Sequence, residues 1–374
     1  MKRIVHVIIG LNVGGAELML QRLVLNSSKK EYFEHFVISL TDLGIIGPKL
    51  QEQGVNVYSL GMASISTLPL TLLKLRKLLK KLRPDVVQTW MYHADLLGGI
   101  TARSLGIENV VWNVRNTTIN ERGTLATSIA KFCAKLSYTI PKKIVYVSKS
   151  ALKSHQEFGY NNSISVVIFN GYDTDKFNYS LEARQQYRRD FQISDNDIVV
   201  GSVGRFSKSK DHKTFIKSII LATKSNPNIK GLIVGRDIDL NNFNIAEKDK
   251  KKFIVIGQRE DIASIYSCMD IFCLHSSSEG FPNVLGEAMS TGIPCVVTRA
   301  GDAEHILNQI EYTSNIRDVD SLSKSLISLA NLSPEERIEI GVKNRERIKE
   351  NFEINVIVER YLDLYRSITQ ENKV

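Results

Sequence analysis

The sequence predicts an α/β protein made of two doubly wound parallel sheets, and three observations carry that reading. Short apolar runs rich in Val and Ile alternate with longer amphipathic segments, the pattern of parallel strands covered by helices. The runs fall into two series on either side of a polar stretch at 170–184 that contains Gly171. A chain of 374 residues is long enough to bury two full cores.

In order, the first series predicts strands over 4–9, 35–40, 55–59, 86–89, 110–113 and 143–147. The second predicts strands over 198–203, 231–234, 253–256, 271–274 and 294–298. With 170–184 read as a linker, the domains are 1–172 and 185–355. A last helix over about 352–368 sets Val356, Val358, Tyr361, Leu362, Leu364 and Tyr365 on one apolar stripe. The segment 72–83 is a helix with leucines on one face and cations on the other, either covering a sheet or lying at an anionic membrane surface.

Composition narrows the function classes. Hydrophobic residues make up 43% and charged residues 24%, values of a soluble globular chain. No apolar run reaches the length of a membrane span. The start, Lys2-Arg3 followed by an apolar run, reads as a buried strand: the run is short, His6 interrupts it, and no small-x-small cleavage site follows. Cys133, Cys268, Cys273 and Cys295 form no C-x-x-C pair, so they read as buried thiols of a reducing cytoplasm. The net charge of +9 lies wholly in residues 1–175, which hold 21 Lys and Arg against 12 Asp and Glu. One domain is therefore expected to meet something anionic. Aromatic content of 8% and the neutral second half argue against nucleic acid, and no repeat or low-complexity tract is present.

The stretch Ser276-Ser277-Ser278-Glu279-Gly280-Phe281-Pro282-Asn283-Val284-Leu285-Gly286-Glu287 carries the chemistry. Pro282 suits the first position of a helix. The amides of Phe281, Asn283 and Val284 then gather at a helix N-terminus, a site for phosphate. Glu287, a turn deeper, is placed to accept from vicinal hydroxyls such as those of a ribose, and Glu279 faces what the phosphate bears. Upstream, Arg205 closes a strand and Lys210 precedes Asp211, a helix N-cap; two cations there suit a diphosphate. Gly14 and Gly15 let backbone approach a ligand closely. They do not spell the dinucleotide fingerprint, which sets NAD(P) aside.

With Gly204-Arg205-Phe206 and Lys210, Gly14-Gly15-Ala16-Glu17, Asn170-Gly171-Tyr172-Asp173 and the Glu279–Glu287 element, the chain resembles the retaining glycosyltransferases of family 4, which have the GT-B fold. The matches run in the family's order from residue 10 to about 305. The resemblance implies two Rossmann-like domains facing a cleft, with a C-terminal helix at about 356–374 returning to the first. It implies a donor site of Gly14, Gly15, Arg205, Lys210, Glu279, Phe281, Asn283, Val284 and Glu287, with the base bordered by 257–261. Arg205, Lys210, Glu279 and His93 would carry catalysis, without a metal or other cofactor, by a front-face route in which the leaving phosphate helps deprotonate the acceptor. The donor would be a nucleotide-sugar, a UDP-sugar by family frequency. The acceptor would be a glycan or lipid-linked glycan held by the first domain in cell-surface polysaccharide synthesis, at the cytoplasmic face of a membrane. This sequence departs from the family twice: Asp211 stands where a Gly usually follows the Lys, and Arg115 where many relatives have a sugar-contacting His.

Alternatives stay open at this point. His93 is either an acceptor-side group or a packed, capping histidine. The D-x-D triplets at 173–175, 195–197, 237–239 and 318–320 would hold a divalent ion in a metal-dependent transferase. A nucleotide-sugar epimerase of similar shape, or a basic nucleic-acid-binding protein, are the rival functions.

Overall fold

Seven strands form the first sheet of the computed structural model, which describes residues 1–27, 32–117, 119 and 123–370. They are β1 (Lys2–Ile8), β2 (Phe33–Ser39), β3 (Asn56–Ser59), β4 (Val86–Trp90), β5 (Val110–Val114), β6 (Lys143–Tyr146) and β7 (Ser165–Val167), in the order β3-β2-β1-β4-β5-β6-β7. The second sheet holds β8 (Ile198–Val203), β9 (Ile229–Val234), β10 (Phe253–Val255), β11 (Ile271–Leu274), β12 (Cys295–Thr298) and β13 (Thr313–Ser314), in the order β10-β9-β8-β11-β12-β13. Every strand pair in both sheets is parallel. Parallel strands are covered on both faces, which is why β4 and β5 are buried at every residue, Gln88, Thr89 and Asn113 included.

The helices of the first unit are α1 (Gly15–Ser27), α2 (Ile46–Glu52), α3 (Leu68–Leu82), α4 (Met91–Arg103), α5 (Gly123–Leu136) and α6 (Lys149–Phe158). Those of the second are α7 (Leu181–Asp190), α8 (His212–Ala222), α9 (Glu247–Lys250), α10 (Ile262–Ile265), α11 (Asn283–Ser290), α12 (Ala303–Leu307), α13 (Val319–Ala330) and α14 (Pro334–Asn351). The last helix, α15 (Ile354–Gln370), belongs to the first unit and packs beside α1. Its stripe is wider than the sequence pattern shows: Ile354, Ile357 and Ile368 are buried with Tyr361 and Tyr365, and Val356 is only half-buried. Two hydroxyl-bearing rings fix it to the first sheet. The Asn113 side-chain amide donates to the Tyr361 hydroxyl at 3.0 Å, and the Tyr365 hydroxyl donates to the Gln88 side-chain Oε1.

The boundary between the compact units falls between Gly171 and Tyr172, and again between Glu353 and Ile354. Residues 172–184 are therefore not a linker. Tyr172 is fully buried against Phe281, and its ring lies where a Cβ on Gly286 would be. Phe177 packs edge-on against Tyr266. Two buried aromatics outweigh the polar composition of the stretch, since each removes more than a hundred Å² of apolar surface from water. The strands β7 and β13 have no counterpart in the sequence reading, because edge strands of three and two residues are too short for an alternation to show.

Five of the seven histidines are buried. In the first unit they form a directed chain. The Trp90 indole can only donate, so at 3.3 Å it makes His6 Nδ1 an acceptor; His6 Nε2 then donates to His35 Nδ1 at 2.9 Å, and His35 Nε2 to the Ser27 hydroxyl at 2.6 Å. His155 donates from Nδ1 to the Ala151 carbonyl at 2.7 Å and accepts from the Tyr92 hydroxyl at 2.5 Å. In the second unit His275 meets the Ser202 hydroxyl at 2.5 Å and the edge of the His212 ring. Burial lowers the pKa of His35, His155 and His212 to about 4, and burial with a neighbouring histidine takes His6 and His275 well below 6.5.

These are neutral bases in the folded protein and bases of ordinary pKa in the unfolded chain. Their contribution is complete above about pH 6.5 and is lost as pH falls through 6.5 toward 4, where the unfolded state takes up protons first. Thermal and urea denaturation should show stability falling by about 1–2 kcal/mol per buried histidine between pH 6.5 and 5. Both units should be affected. A melting temperature unchanged over that window would mean that these rings are not held neutral.

Candidate active site

In a doubly wound sheet the crevice lies outside the carboxyl ends of the strands where the strand order reverses. In the second sheet that point is between β8 and β11. The residues that follow these two strands are 204–211 and 275–282, the two stretches singled out from sequence.

Backbone hydrogen bonds lace these loops together. Gly204 N–H donates to the Val234 carbonyl at 2.9 Å and Phe206 N–H to the Arg236 carbonyl at 2.9 Å, so the loop after β8 follows the end of β9. Gly235 must be glycine here: a Cβ would stand 2.0 Å from the Gly204 carbonyl oxygen. On the other side the Ser277 amide donates to the Ser209 carbonyl at 2.7 Å, and the Ser277 hydroxyl lies 3.2 Å from the same oxygen. This draws Lys210 onto Glu279. Lys210 Nζ is 2.6 Å from Glu279 Oε1, and the Ser276 hydroxyl donates to that same oxygen at 2.6 Å. Both charged side chains are mostly buried, at 22% and 14% exposure. Arg205, by contrast, projects into solvent and makes no ion pair or side-chain hydrogen bond among the described residues.

Asp211 takes a left-handed backbone with φ 50°. That conformation suits glycine, and aspartate is among the few other residues that adopt it readily, which accounts for the exchange seen in the sequence. Asp211 stands at the N-cap position of α8, but its carboxylate caps through a side chain, accepting from the Thr214 hydroxyl at 2.6 Å rather than from a backbone amide.

Pro282 also shifts by one place. It is the extended N-cap of α11, with φ −72° and ψ 103°, and Asn283 is the first helical residue. Its carbonyl accepts the Leu285 amide at 3.2 Å. Val284 therefore lies in the first turn, whose N–H groups have no preceding helical carbonyl. Phe281 is buried between Tyr172 and Phe352, so its ring holds the loop while its backbone borders the helix start. Glu287 is one turn deeper and half-buried, and accepts from the Tyr266 hydroxyl at 3.2 Å. The same hydroxyl is 3.2 Å from the Val284 carbonyl. Burial, and then the Glu287 charge, push the Tyr266 pKa well up, so this phenol stays a donor.

The sequence reading gives no role to Tyr266, and none to Ser276 although it heads the stretch that carries the chemistry. Ser276 was within reach, three places before Glu279. Tyr266 sits 21 residues upstream of Glu287 in a separate element, and no spacing rule joins the two. Gly301 was also missed; its φ of 57° lets the loop after β12 close on the Glu279 and Gly280 carbonyls.

The remaining residues belong to the first unit. Gly14 and Gly15 open α1 after β1, and His93 lies in the first turn of α4 after β4. Strands β1 and β4 are that sheet's own reversal point. Met91, which leads into His93, holds a positive φ of 72°. Arg115 ends β5, but its guanidinium is occupied within the fold. It donates to the Tyr361 hydroxyl and the Asn113 side-chain Oδ1, each at 3.3 Å, and to the Asn170 side-chain Oδ1, and it lies over the Trp90 ring at 5.7 Å. Its place beside α15 makes it a brace for the returning helix.

All four D-x-D triplets serve local structure. Asp173 accepts the Asp175 and Lys176 amides, Asp197 the Ser194 amide, Asp239 the Asn241 amide and Asp318 the Ser321 amide, while Asp237 pairs with Arg236. Among the described residues no three Asp, Glu, His or Cys side chains gather as a metal site.

Two doubly wound sheets, the second with a lysine, an arginine and a helix N-terminus at its reversal point, define the class of the protein as two-sheet parallel α/β. Comparison with known proteins makes this specific. Residues 13–176 match the model of Glycosyltransferase Family 4 and residues 183–353 that of Glycosyl transferases group 1, and the chain belongs to these glycosyltransferases. It is 26% identical over 304 residues to the UDP-Gal:alpha-D-GlcNAc-diphosphoundecaprenol alpha-1,3-galactosyltransferase of Escherichia coli, covering 79% of this chain and 78% of that one. It is 25% identical over 337 residues to the N,N'-diacetylbacillosaminyl-diphospho-undecaprenol alpha-1,3-N-acetylgalactosaminyltransferase of Campylobacter jejuni, covering 85% and 87%. The Anabaena HepE crystal structure with UDP superposes with a TM-score of 0.84 at 18% identity, over 98% of this chain and 100% of that one. The fold is GT-B.

The ion pair can be measured directly. Lys210→Met and Glu279→Gln should each destabilise the second unit by about 1–3 kcal/mol, since each leaves a mostly buried partner alone. The double variant should recover about 1 kcal/mol or more of the sum. Strict additivity in urea denaturation would show that the two side chains do not interact.

Proposed function

We propose that this glycosyltransferase moves a sugar, with retention of configuration, from a UDP-sugar to a hydroxyl of a lipid-linked glycan in the synthesis of a bacterial polysaccharide. The single observation that carries the proposal is the Lys210–Glu279 pair at the sheet's reversal point, next to the start of α11 and with Arg205 projecting beside it. Related structures support the donor, one being Anabaena HepE in complex with UDP-glucose. The names of the two relatives above support a diphospho-undecaprenol acceptor.

In this reading Arg205 and Lys210 hold the diphosphate together with the first amides of α11. Without nucleotide, Glu279 neutralises Lys210; as the diphosphate arrives, Lys210 is shared with it, and Glu279 is freed toward the sugar. Charge that develops on the leaving phosphate meets cations already in place, so stabilisation needs little reorganisation. No side chain serves as a nucleophile on the sugar. The leaving phosphate takes the acceptor proton, and the protein contributes orientation and charge. Glu287, held by Tyr266, accepts from the ribose hydroxyls. His93 and the Gly14-Gly15 turn act from the first unit, and no divalent ion takes part. The enzyme works at the cytoplasmic face, attached to the membrane through the cations of α3. Of these, Lys74 donates to the Leu60 carbonyl at 3.0 Å and Arg76 to the Ser104 carbonyl at 3.2 Å, while Lys77, Lys80, Lys81 and Arg83 are exposed. No helix among the described residues is long and apolar enough to cross a membrane.

Glu287→Ala should weaken UDP binding by about 1–3 kcal/mol, the range for hydrogen bonds to a charged group. Calorimetry on the folded variant checks this, and unchanged affinity would remove Glu287 from the site. Glu279→Ala should lower turnover more than affinity. A thermal-shift series should favour UDP over GDP, because a bound ligand stabilises by RT ln(1 + [L]/Kd).

Transfer should continue in excess EDTA. Activity lost on chelation and restored by Mn²⁺ would overturn the assignment of the diphosphate to Arg205, Lys210 and α11.

A further inference from the structure

Five rings stand in contact beneath the loop that follows β8. Phe243 meets Phe206 edge-on at 5.9 Å, and Phe206 is tilted against His212 at 6.1 Å. His212 meets His275 edge-on at 5.0 Å, and Phe215 lies against His275 at 4.9 Å. Phe206 is 47% exposed, whereas His212, His275 and Phe215 are buried, so the column runs from the surface into the core. It also runs through the site. Phe206 follows Arg205, His212 opens α8 directly after Lys210 and Asp211, and His275 leads from β11 into Ser276.

The two histidines are not fully bonded. His275 Nε2 meets the Ser202 hydroxyl, but His275 Nδ1 and both ring nitrogens of His212 are buried without a hydrogen-bond partner among the described residues. The backbone of Lys210 and Asp211 lies beside the His275 ring and favours its protonated form, which is the action of carbonyl oxygens, yet hydrogen-bond geometry is not reached. A nitrogen beside carbonyl oxygens suits an N–H. The proton of this neutral imidazole therefore belongs on Nδ1, and Nε2 accepts from Ser202. A buried donor that stops short of its acceptors is costly, and a small movement of the turn would relieve it. That turn is left-handed at Asp211, and the Lys210 stem crosses Gly204, where a Cβ would stand 3.3 Å from its Cδ and Cε.

We propose that His275 is a positioning residue for the diphosphate: as the ligand engages Lys210, the Lys210-Asp211 turn settles onto the His275 Nδ1–H. The bond fixes the backbone from which the lysine reaches. The inference rests on the nucleotide reading above and deepens it, since part of the affinity for the diphosphate then comes from a group that never touches it.

Titration of the full chain with UDP and with uridine, which lacks the diphosphate, tests this. Asn places an amide nitrogen near the position of Nδ1, whereas Gln reaches only that of Nε2. His275→Gln should therefore weaken UDP binding about tenfold, the contribution of one hydrogen bond, and His275→Asn should stay within about threefold of the native protein. Uridine should bind equally to all three. A histidine that merely fills the core would lower both affinities together, or the melting temperature alone, and either result overturns the proposal. So does a His275→Gln protein that binds UDP at native strength. Should neither variant fold, Ser202→Ala removes only the donor that fixes the ring. UDP binding should then fall about threefold with uridine unchanged, and UDP binding at native strength would overturn the proposal. A native protein that binds UDP no better than uridine would overturn the diphosphate reading itself, and this inference with it.

Discussion

The short contact between the Ser277 amide and the Ser209 carbonyl, 2.7 Å, is the join on which the second unit's site depends. Parallel strands leave their loops on one edge, but nothing in a sheet forces the loops after β8 and β11 to touch. This hydrogen bond does so, and it sets the lysine of one loop on the glutamate of the other. Around it the backbone is packed too closely for side chains, with Gly235 against the Gly204 carbonyl and Gly301 against Glu279 and Gly280. The result is an edge at which two mostly buried charges meet, while Arg205 is exposed to solvent.

The first unit is held differently. Its reversal point lies over a chain of neutral groups, Trp90, His6, His35 and Ser27, in which each donor has one acceptor. Arg115 then ties the end of β5 to Asn170 and to Tyr361 of the returning helix. The exposed cations Lys77, Lys80 and Lys81 of this unit lie on α3, one of its covering helices.

Polar groups that look catalytic in the sequence often serve the fold. Five of the eight aspartates in the four D-x-D triplets, Asp173, Asp197, Asp237, Asp239 and Asp318, hold turns, caps and one surface ion pair. Arg115, where the family resemblance implied a sugar contact, braces a helix. The reason is common to all: loops at strand ends carry unpaired backbone groups, and short polar side chains satisfy them locally.

The sequence by itself determined the class of fold and most of the strands, because runs such as 198–203 and 271–274 are buried on both faces and need no partner to be recognised. It also determined the composition of the candidate site, since Gly204-Arg205, Lys210, Glu279, Pro282 and Glu287 lie in local patterns with a local meaning. Tertiary structure alone decided which of these meet. Lys210 and Glu279 are 69 positions apart and are joined by two loops on neighbouring strands. Tyr266 comes to Glu287 from a separate element. The stretch 172–184, polar by composition, is claimed by the second unit because Tyr172 and Phe177 find buried partners. The return of α15 to the first sheet is invisible along the chain, for the buried faces of Tyr361 and Tyr365 say only that something covers them. Local chemistry is written in neighbouring residues, whereas contacts across the chain follow from strand order, which no single segment encodes.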